Sequence, residues 1–313
     1  RPSPRTEAVP EVVKHRRRAA ILRALNRPRE ACMAYETIEF TVADGVAHLR
    51  LNRPDALNTL VMAFWQEMVD IFAEIEGRGD IRAVVISSTG RHFTAGLDLN
   101  AFAGIAETMT GDDAARLGER LRRTVLEMQE SFNVIERCRH PVLAAVQGGC
   151  IGGGVDMISA CDMRYASADA FFTIQEINIG MTADVGTLQR LPYLMPEGLV
   201  RELAYTGRRM PAEEAQACGL LNAVYPDHEV LLAKVLEIAA TIASKSPLAI
   251  AGTKEMLNYT RDHDVTDSLN YMATWQAGMF VGPDLFEAAA ANREKRAPRF
   301  ADLLPPQRLV RRR

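Results

Sequence analysis

Val142-Leu-Ala-Ala-Val-Gln-Gly-Gly-Cys-Ile-Gly-Gly-Gly-Val-Asp156 passes from five apolar residues into a glycine-rich turn and then into a helix-forming stretch. The run 142–146 reads as a buried strand, and 153–160 opens a helix. Glycines in such a turn let the backbone adopt positive φ and let a ligand come close. Free N–H groups and the positive end of the helix dipole then point at whatever lies before the helix. A second segment of the same kind, Arg91-His-Phe-Thr-Ala-Gly-Leu-Asp-Leu99, follows an apolar strand at 83–87. One donor from each segment would make a two-donor oxyanion hole. The alternative is that glycines 152–154 serve only close helix–strand packing. Neither segment is a GxGxxG in strand–turn–helix register or a Walker loop, so a phosphate cradle is not expected.

Outward from these segments the chain alternates strands and helices. Residues 38–51 read as two strands joined through Asp44-Gly45, a hairpin signal. Residues 60–76 place Leu60, Ala63, Phe64, Met68, Ile71, Phe72 and Ile75 at helical spacing. Short strands are expected at 163–166 and 170–174. The alternation argues for an α/β core. From about residue 195 the pattern becomes helical, with helices expected at 197–206, 211–217, 229–245, 247–259 and 266–279. The expected organisation is a basic, disordered extension over 1–32, a core over 33–195 that holds the site, a helical region over 196–300 and a tail over 301–313.

The 313 residues are 48% hydrophobic and 25% charged with net charge −3, an ordinary balance for a chain that buries a sizeable core. No nucleic-acid or membrane partner is expected from that charge, and no apolar run reaches the roughly 18 residues of a span. The five cysteines show no CxxC or Cys/His ligand spacing, so reduced structural thiols and no metal site are expected. The 1–32 stretch contains Lys14-His-Arg-Arg-Arg18, but Glu7, Glu11 and Glu30 interrupt it and it holds one serine, unlike a presequence. Met33 reads as a natural start. The expected location is cytoplasmic, or the mitochondrial matrix if 1–32 is a presequence.

Several pieces in order carry a resemblance: Asn52-Arg-Pro with Leu57-Asn58, Phe93-Thr-Ala-Gly-Leu-Asp-Leu99, Ala145-Val-Gln-Gly, Gly152-Gly-Gly-Val-Asp156 and Cys161-Asp162. Together they resemble the enoyl-CoA hydratase/isomerase (crotonase) family from about Tyr35 to Phe300. The resemblance implies an α/β fold of stacked ββα turns forming a spiral, with a C-terminal helical region that builds a homotrimer or hexamer. It implies an acyl-CoA substrate and no further cofactor. It also implies oxyanion donors at the backbone N–H of Leu97 and Gly153, and substrate contacts at Ala95, Gly96, Leu97, Asp98, Leu99 and Gly153. Asp55 stands where many relatives carry a basic residue near the coenzyme A phosphates.

Three acids choose among the family's branches. Asp156 lies on the first turn of the helix, Glu176 twenty residues on, and Asp184 eight further. Taken singly, each has a structural reading: a helix-dipole partner, a strand-end acid and a helix cap. Hydratases of the family carry glutamates at the positions of Asp156 and Glu176 and generally lack the third acid. The set here resembles the dienoyl-CoA isomerase branch, as do Ala63-Phe-Trp65, Ser244-Lys-Ser-Pro247 and Tyr271-Met-Ala-Thr-Trp275. That branch moves a proton from C2 to C6 of a 3,5-dienoyl thioester. By resemblance Glu176 is the C2 base, Asp184 the C6 acid, and Asp156 an assisting group near the dienolate. Enoyl-CoA hydratase and 3,2-enoyl-CoA isomerase are the nearest alternatives, and a non-catalytic acyl-CoA or RNA-binding relative a more distant one.

Overall fold

The computed structural model describes residues 35–98, 100 and 113–307. The extension expected over 1–32 lies outside them. β1 (Ile38–Ala43) and β2 (Val46–Leu51) form the antiparallel hairpin read from Asp44-Gly45. β3 (Ala83–Ser88), β4 (Val142–Val146), β6 (Met163–Ser167) and β9 (Ala223–Tyr225) then add in parallel, giving a six-stranded sheet in the order β1-β2-β3-β4-β6-β9. A second sheet holds β5 (Gly149–Ile151), β7 (Phe171–Thr173) and β8 (Met210–Pro211). Single bridges, Thr94 to Cys150 and Leu60 to Leu97, extend this second layer toward the N-terminal side. Successive turns of chain thus put one segment in each layer before a helix, which is the expected ββα spiral.

Period-two alternation explains how the main sheet is covered on both sides. Val84, Ile86, Val142, Ala144 and Val146 face one apolar cluster, with Phe64, Met68, Ile71, Phe72 and Ile75 of α1 (Met62–Gly77). Val85, Leu143 and Ala145 face the other, with Leu231, Val235 and Ala239 of a helix near the C-terminus. The spacing of three and four in α1 is that of one buried helical stripe.

The long helix α2 (Ala114–Arg137), capped by the Asp113 carboxylate on Arg116 N, was not foreseen. Only Ser131, Phe132 and Ile135 in its second half are buried outright, and its many Arg and Glu residues hide the apolar stripe. α3 (Gly153–Ser159) is buried throughout. α4 (Thr187–Arg190), α5 (Glu197–Thr206) and α6 (Ala212–Ala217) follow. α7 (His228–Ala243) is the helix that covers the second sheet face, and α8 (Pro247–Thr260), α9 (Val265–Met279) and α10 (Pro283–Glu294) complete the chain. The helical character expected after residue 195 holds, but β8 and β9 from that part complete the two sheets. No single described helix is long and apolar enough to cross a membrane. Cys138, Cys150 and Cys161 are buried and unpaired, and burial pushes the thiols of Cys138 and Cys161 up to about 12.

Candidate active site

Two glycines bring the two loops together. Thr94 N donates to Gly149 O and Ile151 N to Thr94 O, each at 3.1 Å. Gly96 has φ +87°, and a Cβ there would lie 2.9 Å from the Ile151 carbonyl oxygen. Gly152 has φ +53° and would press a Cβ to 3.2 Å from Glu176 Oε1. Side chains at both places would therefore be strained and crowded. Asn58 stitches the first loop, accepting from Arg53 N at 2.8 Å and donating to the Thr89 and His92 carbonyls at 2.7 and 3.0 Å.

The same geometry frees two amides. Leu60 N donates to Gly96 O at 2.8 Å and Asp98 N to Leu60 O at 3.1 Å, so the intervening Leu97 N–H is turned away from that bridge. Gly153 N–H is the first of α3, where no intrahelical acceptor exists. Among the described residues neither amide donates to a protein acceptor.

A cavity of about 490 Å³ lies where these amides meet. Leu60, Trp65, Leu97, Ile179 and Met181 line it, and one wall is Leu121, Thr124, Val125 and Met128 of α2 at helical spacing. Among the described residues its only ionisable lining groups are Glu176 and Asp184. Ala95, Gly96, Leu97 and Gly153 line it too. Asp98 does not; its carboxylate accepts from Thr59 Oγ1 at 3.1 Å and Asn100 N at 3.0 Å. Leu99 lies outside the described residues. The α2 wall and Trp65's place in the cavity were missed at the sequence level. The i, i+3, i+4, i+7 spacing from Leu121 was the available signal.

The three acids differ in placement. Glu176 starts the 3-10 turn Glu176–Ile179 just beyond β7, its carboxyl packed on Gly152, with Oε2 buried and unpartnered. Burial raises it to about 7, with the charge of Asp156 adding to the rise. Asp184 sits in the loop before α4, and burial raises it as well. It is no cap, because Gly186 holds that position. Its main-chain carbonyl accepts from Gln129 Nε2 at 2.6 Å. Asp156 is fully buried behind the cavity and is not among its lining residues. Its Oδ1 accepts from Thr187 N at 2.6 Å, and its Oδ2 has no hydrogen-bond partner. Burial lifts Asp156 to about 6 against the opposing pull of Thr187. Among the described residues no His, Cys, Asp and Glu cluster is arranged to hold a metal ion.

Two amides without a protein acceptor in the wall of an apolar cavity, with two elevated carboxyls beside them, suit a site for holding and protonating an enolate. Residues 41–303 match the family described as Enoyl-CoA hydratase/isomerase, and the chain belongs to that family. It is 49% identical over 275 residues to a protein from Pongo abelii named Delta(3,5)-Delta(2,4)-dienoyl-CoA isomerase, mitochondrial, covering 86% of this chain and 84% of that one. A peroxisomal protein of the same enzyme name from Arabidopsis thaliana is 42% identical, covering 86% and 99%. Among solved structures, an enoyl-CoA hydratase from Bacillus anthracis superposes with a TM-score of 0.76 at 31% identity, covering 85% and 99%. The relatives' names are organellar and do not support the cytoplasmic location expected from the sequence.

Proposed function

We propose that the protein is a Δ3,5-Δ2,4-dienoyl-CoA isomerase of fatty-acid β-oxidation. The observation that carries this reading is that Glu176 and Asp184 share one apolar cavity with the Leu97 and Gly153 amides. The thioester carbonyl binds at the two N–H groups. Glu176, ionised, removes a proton from C2; the charge spreads through the diene to the carbonyl oxygen, where the amides stabilise it. Loss of one such donor costs roughly 3–4 kcal/mol of barrier. Asp184, whose carboxyl burial raises, delivers a proton to C6. Asp156 assists from behind: its charge raises Glu176, and its bond to Thr187 N holds the acid loop.

No cofactor beyond the coenzyme A carried by the substrate is needed for this proton shift. The acyl-CoA is the partner, and the exposed apolar residues of α9 and α10 suit a homotrimer or hexamer. If residues 1–32 are a presequence, the address is the mitochondrial matrix.

The test is to give purified protein a 3,5-dienoyl-CoA and, separately, a 2-enoyl-CoA. Rapid appearance of the 2,4-dienoyl absorbance with slow hydration is expected. Dominant hydration would reject the isomerase reading in favour of a hydratase.

A further inference from the structure

The loop that carries Asp184 has little backbone support of its own. Among the described residues no N–H between 182 and 186 donates to a main-chain carbonyl. Instead the loop is held by side chains from its neighbours. Asp156 on α3 accepts from Thr187 N at 2.6 Å. α2 supplies the rest: Gln129 Nε2 donates to Asp184 O at 2.6 Å, and Asn133 and Glu136 accept from Arg190 at 2.7 and 2.9 Å. Positions 129, 133 and 136 form a stripe one residue round the helix from the cavity wall at 121, 125 and 128. The helix that walls the cavity therefore also grips the acid loop.

We propose that Gln129 is a positioning residue for Asp184, fixing the peptide from which the carboxyl reaches into the cavity and tying that placement to the α2 wall. A carbonyl can only accept, so the amide nitrogen of Gln129 must face it, and an apolar side chain would leave the half-buried Asp184 oxygen without its donor. Gln129 does not line the substrate cavity; it lines the neighbouring one on the far side of the acid loop, with Val185, Gly186 and Arg190. A misplacement of about 1 Å in a reacting group lowers a rate on the order of 100-fold. The inference rests on the assignment of Asp184 as the C6 acid.

The experiment separates the two halves of the reaction in D2O. Deuterium entering C2 of unconverted 3,5-dienoyl-CoA reports Glu176 and the amides; formation of 2,4-dienoyl-CoA reports the C6 step as well. Gln129→Leu should slow product formation roughly 100-fold, with C2 exchange and KM as in wild type. Gln129→Glu keeps the shape but turns an acceptor toward the carbonyl when ionised, and should lose at least as much. Wild-type product formation in both variants, or C2 exchange falling in step with it, would overturn the proposal. Asp184→Asn, run alongside, tells the two failures apart: if it remains active, the assignment of Asp184 itself is wrong and Gln129 has no acid to position.

Discussion

Glu176 gains its chemistry from being half-hidden beside Gly152, where water cannot solvate its charge. A base near 7 is well matched to neutral pH, so kcat/KM should rise with pH through about 7. Asp156→Asn removes the charge that helps raise Glu176, so the rising limb should move to lower pH; an unmoved limb would show that Asp156 leaves the base untouched. Glu176→Gln should reduce turnover on the order of 10²–10⁴-fold. The same substitution should make the fold more stable at alkaline pH. The folded chain holds the Glu176 proton more tightly than the unfolded chain, about 7 against 4.5. Stability from this group is thus complete below the ordinary carboxylate range and is lost as pH climbs through about 7. Because Asp156 shares the titration, the gain in Glu176→Gln at pH 8 should be on the order of 2 kcal/mol, and absent at pH 4. Denaturant melts at the two pH values measure it.

Among the elements, the ones with strong periodicity were legible. The hairpin at Asp44-Gly45, the apolar runs of β3 and β4 and the stripe of α1 follow from spacing alone. The glycine loops were legible as a pair, because each follows a strand and each must turn without a Cβ. α2 was not. Its apolar positions are diluted by exposed Arg and Glu, and it lies beside a cavity rather than under a sheet, so Leu121 is exposed and Val125 and Met128 are only half-buried. Placing Asp156 behind the cavity rather than in its wall was beyond sequence as well: position on a first helical turn does not say whether a carboxyl faces a ligand or a neighbouring loop. Lys254 makes a further point about elements. Its ammonium donates to the Ile135 and His140 carbonyls at 3.2 and 3.1 Å and pairs with Asp162 at 2.7 Å, locking α8 to the end of α2 and the start of β4. Lys254→Ala removes the cation beside Asp162, whose Oδ2 keeps only the Val142 amide, and should cost about 3 kcal/mol, read as a drop in the unfolding midpoint.

At the scale of the molecule, α9 has no buried residue, and Leu269, Phe280, Val281 and Phe286 stand exposed along α9, α10 and their junction. In the proposed oligomer this apolar face is the surface that a second copy would cover. Light scattering should return a trimer or hexamer, and Phe280→Asp with Phe286→Asp should reduce it to smaller species; a wild-type monomer would remove this part of the account. The cavity lies within the spiral, so its two carboxyls can work on one ligand whatever the assembly. Where solvent deuterium enters the product of 3,5-dienoyl-CoA in D2O is the most direct measurement of that arrangement. A 2,4-dienoyl-CoA with deuterium at C6 is the predicted result. Deuterium at C4 in a 2,5-dienoyl product, or a hydroxyl added at C3, would contradict the pairing of Glu176 with Asp184.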